Sequence, residues 1–159
     1  MKAISILDKL LAWATLLLFT ALLAVVVIQI MGRYLPYNAI WTEELSRYLF
    51  VYAITTAAPL ALRKNEFIRV DMVLAPLKEK TKRLYESIIL GLVFAFSVVL
   101  FVEGIRFYQL GLDFIAPTMG FSMSYVYAAV PLLAFLIMVY SLVSIVDRTR
   151  PLEKEGNEE

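Results

Sequence analysis

The residues best equipped for chemistry in this 159-residue chain are Trp41, Glu43, Glu44, Arg47 and Tyr48, five polar or aromatic side chains within eight positions. Glu43 and Arg47 are four apart and Glu44 and Arg47 three apart, so on a helix either carboxylate can pair with the guanidinium on one face. Near hydrocarbon such charges are costly unless paired. The chemistry they suit is therefore ionic pairing, either as more than a chance surface cluster or, with Trp41 and Tyr48, as an aromatic-belt anchor with an ordinary end-of-helix salt bridge. Glu103 and Arg106, three apart, form a second candidate pair, which reads as an interfacial ion pair that snorkels or meets a partner chain. The chain has no cysteine and no histidine. Disulfides, thiolate chemistry, iron–sulfur and haem ligation and the imidazole proton relay are thereby closed. No catalytic residue, cofactor site or metal site is expected.

The elements that position these residues are membrane helices. Hydrophobic residues make up 61% of the chain, charged residues 18%, and mean hydropathy is +0.76, values foreign to a soluble domain of this size. Twenty-three uncharged residues run from Leu10 to Gly32, enough to cross about 30 Å of hydrocarbon at about 1.5 Å per residue. A signal peptide would have a shorter apolar core and a small-residue cleavage site, whereas this run ends at Met31-Gly32-Arg33. The second block, Tyr48 to Leu62, is short and needs Trp41 to Ser46 as its first turns, with Asn38 or Thr42 as cap and the two carboxylates at the positive end of the helix dipole. The third, Ser87 to Val102, extends through polar flanks, and the fourth follows a loop marked by Pro117 and Gly120. The expectation is an all-α integral membrane protein with four spans at about 10–32, 42–62, 83–110 and 122–147, a membrane domain over residues 1–150, and a charged, disordered cytoplasmic tail at 151–159.

Orientation follows from the basic residues. Twelve of the 15 fall on the amino terminus, the middle loop and the tail, leaving Arg33, Arg47 and Arg106 for the other side. The positive-inside rule places both termini and the middle loop in the cytoplasm. In that loop, Arg63, Arg69, Asp71, Lys78, Lys82 and Arg83 accompany the apolar residues Ile68, Val70, Met72, Val73 and Leu74. It reads either as a segment lying along membrane lipids with its basic residues toward the headgroups, or as a solvated loop that sets topology. Net charge is +1, which gives no pull toward nucleic acid. No internal repeat suggests a transporter of two inverted halves. The first span has no ionisable group, only Gln29, and the others offer Thr55, Thr56, Ser141 and Ser144, so the chain is poorly equipped to move an ion or solute alone.

Trp41 to Tyr52, followed by Ala57-Ala58-Pro59-Leu60-Ala61-Leu62-Arg63 and Glu66-Phe67-Ile68-Arg69-Val70-Asp71, resembles the small membrane subunit of tripartite ATP-independent periplasmic (TRAP) transporters. The four-span layout fits that family across the chain, and the motif covers about thirty residues. One departure is Phe67, where the family commonly has histidine. The resemblance implies a non-catalytic subunit in the bacterial inner membrane, serving a secondary transporter for organic acids. It implies two partners: a large multi-span, sodium-coupled permease subunit whose stationary scaffold the small subunit enlarges, and a periplasmic substrate-binding protein for which it offers docking surface. Glu43, Glu44 and Arg47, helped by Trp41 and Tyr48, would then lie at or near the subunit boundary. Two other classes are a structural accessory subunit of another complex, such as a respiratory enzyme, and a small multidrug exporter. The exporter needs a carboxylate within its first span, which Leu10 to Gly32 lacks.

Overall fold

The computed structural model describes residues 2–34, 40–63 and 79–149, except for the side chains of residues 2–3, 79–84, 86 and 147–149. Among the described residues five α-helices follow in order: α1 (Lys2–Gly32), α2 (Ile40–Arg63), α3 (Glu79–Leu110), the one-turn α4 (Ser124–Tyr127) and α5 (Ala129–Thr149), with a 3-10 turn at Gly111–Asp113. Four stretches among them are long and apolar enough to cross a membrane: Ile4–Gly32, Ile40–Arg63, Ser87–Asp113 and Ser124–Val146. The all-α, four-span expectation holds. The helices differ at their ends. α1 starts by Lys2 and takes in Asp8 and Lys9 ahead of the apolar run, and α3 begins four residues before residue 83. Thr42 lies inside the first turn of α2 rather than capping it, while Asn38, the middle loop through Arg69, Asp71 and Lys78, and the tail from residue 150 fall outside the described residues.

The fourth span is built in two pieces. Pro131 has no N–H to give the carbonyl one turn back, so helical hydrogen bonding is interrupted near Ala128 and the long helix α5 starts afresh with proline in its first turn. Between α3 and α4 the chain folds back on itself. The Met123 N–H donates to the Phe114 carbonyl at 2.9 Å and the Ala116 N–H to the Phe121 carbonyl at 2.8 Å, around an isolated antiparallel bridge from Ile115 to Ser122. Gly120, at φ 71°, makes the turn that closes this loop, a conformation that costs glycine nothing.

α1 packs on α2, α2 on α5, and α5 on α3, whereas α1 and α3 share no substantial interface. The windows in α1 and α3 are accordingly 17% buried, against 28% for the second and fourth spans. Tyr140 of α5, with Leu136 and Leu11, forms a small core to which Leu7, Leu60 and Leu62 add. Several hydroxyls within the spans bond to the preceding turn, since hydrocarbon offers no water, whereas the buried Ser141 hydroxyl has no hydrogen-bond partner among the described residues. Thr55 donates to Val51 O at 2.9 Å and Ser97 to Val93 O at 2.7 Å. Where α3 crosses α5, a Cβ on Gly104 would lie 3.0 Å from the Pro131 nitrogen, so hydrogen at this position sets the approach of the two helices. Gly104→Leu is expected to cost about 1–3 kcal/mol by overpacking and to lower the unfolding temperature in detergent by several degrees. Gly91→Leu, with open space at its Cβ, serves as the control expected to leave it unchanged.

Candidate functional site

Polar side chains gather at the two ends of the helices. The end carrying Asp8 and Arg63, expected in the cytoplasm, is the inner end; the end carrying Glu44 and Thr118 is the outer one. At the outer end the acidic pair divides its work. Glu43 Oε1 meets Arg47 Nη2 at 3.1 Å, with both side chains about two-thirds exposed, as the four-residue spacing predicts. Glu44 turns away from Arg47 and into the chain. Its Oε1 accepts the Tyr48 hydroxyl, and its Oε2 accepts the Thr118 backbone N–H at 3.0 Å and the Thr118 hydroxyl as well. One carboxylate thus fastens the start of α2 to the tip of the loop between α3 and α4, 74 residues away.

Tyr48, buried to 7% exposure, is held edge-on by Phe121 with centroids 5.6 Å apart, and its hydroxyl lies 3.4 Å from Met123 Sδ. The Tyr52 hydroxyl donates to the Tyr125 carbonyl, adding a second tie between α2 and α4. Phe107 stacks on Tyr127 at 4.1 Å and joins the outer end of α3 to the same assembly. A cleft of about 450 Å³ opens beside these contacts, lined by Glu43, Glu44 and Arg47 on one wall and Pro117, Met123 and Tyr127 on the other. Trp41 is partly exposed at the rim of α2. Glu103 and Arg106 form the expected ion pair at 2.8 Å on an exposed face of α3.

The inner end holds a constellation that residue spacing does not reveal. Arg63, the last residue of α2, places Nη1 3.0 Å from Asp8 Oδ2, and the Tyr140 hydroxyl donates to Asp8 Oδ1 at 2.6 Å. The Arg63 guanidinium also lies over the Tyr140 ring, 6.0 Å from its centroid. Three helices that are distant in sequence are therefore pinned by one carboxylate. Asp8 and Arg63 are each less than one-third exposed, so losing either leaves a partly buried charge without its partner. Arg63, expected in the middle loop, is the last residue of α2, where that loop begins. Asp8 and Tyr140 had no expected role, and the available signal was an acid two residues ahead of a long uncharged run. Lys82 and Arg83 fall on the first turns of α3.

Between the two ends, α1 and α2 meet through hydroxyls: Thr15 Oγ1 donates to Leu11 O at 2.8 Å and stands 2.9 Å from Thr56 Oγ1. Thr55 Oγ1 lies 3.4 Å from the Ala129 carbonyl. No group of three or more acidic, cysteine or histidine residues suited to a metal ion occurs among the described residues. The arrangement can bind helices together and present a charged rim. Within the third span the charged residues Glu103 and Arg106 pair with each other on an exposed face.

Residues 22–150 match the family model for tripartite ATP-independent periplasmic transporters, DctQ component. The sialic acid TRAP transporter permease protein SiaT of Haemophilus influenzae (strain 86-028NP) is 32% identical over 133 residues, covering 82% of this chain and 21% of that protein. The sialic acid TRAP transporter small permease protein SiaQ of Vibrio cholerae serotype O1 (strain ATCC 39315 / El Tor Inaba N16961) is 31% identical over 121 residues, covering 74% of this chain and 68% of that protein. The chain thus spans about a fifth of the first relative's length and about two-thirds of the second's.

Two measurements check the ties at the ends. Asp8→Asn and Arg63→Gln are each expected to destabilise the chain by about 1.5–3 kcal/mol, the range for hydrogen bonds to charged groups. The double variant should lose little more than either single one, because both changes break the same pair. Glu44→Ala should raise hydrogen exchange at the Thr118 amide about tenfold or more while leaving α5 amides protected, as a loop freed from its clasp opens locally.

Proposed function

Since the chain belongs to the DctQ component family of TRAP transporters, we propose that it is the scaffold-enlarging partner of a large sodium-coupled permease subunit and supplies part of the docking surface for a periplasmic substrate-binding protein. It is a multi-pass protein of the inner membrane and a transport component rather than an enzyme. Family membership leaves the respiratory accessory and multidrug exporter readings without support.

The observation that carries the proposal is the placement of charge. The Glu43–Arg47 and Asp8–Arg63 pairs stand at the ends of the helices, and the exposed Glu103–Arg106 pair lies in the outer half of the third span. Thr15, Thr55, Thr56 and Ser97 bond to their own or neighbouring helices, whereas the buried Ser141 hydroxyl makes no hydrogen bond among the described residues. A subunit that bound sodium or an organic anion at mid-membrane would need a cluster of polar groups free to meet it there. One lone hydroxyl is not such a cluster, which supports assigning cargo and ion to the large subunit. The small subunit's contribution is helix surface that resists being dragged when its partner moves. The outer rim of Trp41, Glu43 and Arg47, with the loop that Glu44 holds, is the surface offered to the receptor and to the outer edge of the large subunit. The inner basic loop lies along the lipid headgroups, with both termini in the cytoplasm and the tail at 151–159 outside the membrane domain. The cargo is an organic acid; sialic acid, named for both relatives, is one.

Reconstitution tests this directly. The chain alone should move no solute, whereas the chain with its large subunit and a matched receptor should support uptake of an organic acid driven by a sodium gradient. Arg47→Ala should release the small subunit from the complex in mild detergent. Unaltered co-purification and uptake would reject the role given to Arg47, and solute movement by the chain alone would reject the scaffold reading.

A further inference from the structure

The cleft at the outer end has a shape and a polarity that the scaffold role leaves unused. Its α2 wall includes Ile40, Glu43, Glu44, Arg47, Tyr48 and Val51, spaced so that they fall along one side of the helix. The cleft therefore runs along the helix axis for eleven positions, or about 16 Å. Pro117 and Thr118 of the loop and Met123, Val126 and Tyr127 at α4 form the opposite wall. Counted outward from Arg63 at the inner end, twenty residues of α2 cover the about 30 Å of the hydrocarbon core and bring its boundary to Glu43. The charged mouth of the cleft stands at that boundary. Val51 lies about 12 Å inside it, with Val126 on the facing wall.

These dimensions decide what can enter. A helix about 10–12 Å across would need more than about 1,000 Å³ along the same length, and the cleft has about 450 Å³. A loop of a soluble protein can reach the mouth, but deeper in, its irregular backbone would leave N–H and C=O groups without partners in hydrocarbon. An acyl chain has neither the width nor the polar groups. The mouth then selects the headgroup. The ion pair uses Arg47 Nη2 and Glu43 Oε1, and both side chains are about two-thirds exposed. The guanidinium has further N–H donors for a phosphate, and the carboxylate has a second oxygen for an ammonium. Glu44 adds a second negative charge to the wall, which disfavours a headgroup of net negative charge and suits one that carries its own ammonium. A primary ammonium has N–H groups to donate and a quaternary one has none. The Glu103–Arg106 pair on α3 has the same charges at 2.8 Å, but neither residue lines this cleft.

We propose that the cleft is a binding site for one phosphatidylethanolamine of the leaflet at the outer end. Its phosphate meets Arg47, its ammonium meets Glu43, and the start of one acyl chain lies between Val51 and Val126. The lipid fills the seam between α2 and α4. The site is made by this chain's own residues, so it stands independently of the scaffold role.

Native mass spectrometry of the full chain in detergent tests it, with phosphatidylethanolamine, phosphatidylcholine and phosphatidylglycerol of identical acyl chains added in turn. One phosphatidylethanolamine should be retained per chain, with an affinity about tenfold above that for phosphatidylglycerol and clearly above that for phosphatidylcholine. Arg47→Gln, at an exposed position, should lower that affinity about tenfold or more, as loss of a charged hydrogen bond does. Val51→Phe, which fills the deep end, should lower it as well, and Arg106→Gln should leave it unchanged. Equal retention of the three lipids would mean non-specific annular contact and overturn the proposal. So would tighter binding of phosphatidylglycerol, an unaltered affinity in Arg47→Gln, or an equal loss in Arg106→Gln. In the membrane, a benzophenone amino acid at position 123, in the chain co-expressed with its large subunit and a matched receptor, should capture phospholipid. An adduct with either protein in its place would assign the cleft to that protein and overturn the proposal, while leaving the small-subunit reading standing.

Discussion

A polar group in hydrocarbon has no water to fall back on, and nearly every feature of this chain answers to that constraint. Backbone groups are satisfied by making the spans helical. Hydroxyls are satisfied by bonding to a carbonyl one turn earlier, as Thr20, Thr55 and Ser97 do. Charges have no such local solution, and among the described residues three pairs form: Glu43 with Arg47 and Asp8 with Arg63 at the ends of the helices, and Glu103 with Arg106 on an exposed face in the outer half of the third span.

The same constraint explains why α2 is the hub. Of the four spans it carries the most polar side chains, and each of its principal ties leads to another part of the chain. Glu44 reaches the loop at Thr118, Tyr52 reaches α4, Thr55 approaches the start of α5, Thr56 meets Thr15 of α1, and Arg63 meets Asp8. A helix with these residues would be a poor span by itself. Surrounded by α1, α4 and α5 it becomes the element on which the others are registered, because each polar group on its inner side has one partner at one height. Close packing, as at Gly104 against Pro131, brings α3 onto α5.

The four spans were legible in the sequence because hydropathy over twenty residues is a sum, and a sum survives errors at individual positions. Helix ends were less so: α1 continues back to Lys2 because helix propensity does not stop where hydrocarbon does. The Glu43–Arg47 and Glu103–Arg106 pairs were legible because three- and four-residue spacing brings side chains together on any helix. The fate of Glu44 was not, since its spacing to Arg47 is just as favourable and only the fold brings Thr118 within reach. Asp8 and Tyr140 are 132 positions apart and meet only because α1 and α5 both lean on the inner end of α2. An acid so close to a long apolar run is a weak cue that a partner exists; nothing in the sequence says which.

The two clusters also differ in what they leave available. At the inner end, Asp8 is engaged by both Arg63 and Tyr140, so the cluster ties α1, α2 and α5 together. At the outer end, Glu44 and Tyr48 are turned inward while Glu43 and Arg47 stay about two-thirds exposed. Neutralising each other, that exposed pair avoids the cost of an isolated charge near hydrocarbon, yet both groups keep hydrogen-bonding capacity for a second contact. The scaffold role proposed above requires this combination. Its own helices must be fixed relative to one another at both ends, or motion in the neighbour would be absorbed as bending. Its contacts to the neighbour must be satisfied enough to survive in the membrane alone before assembly, and open enough to take a partner afterwards. Glu44 provides the first condition at the outer end and Glu43 the second, and they are adjacent because successive residues on a helix point about 100° apart, one toward the chain's own core and the other away from it.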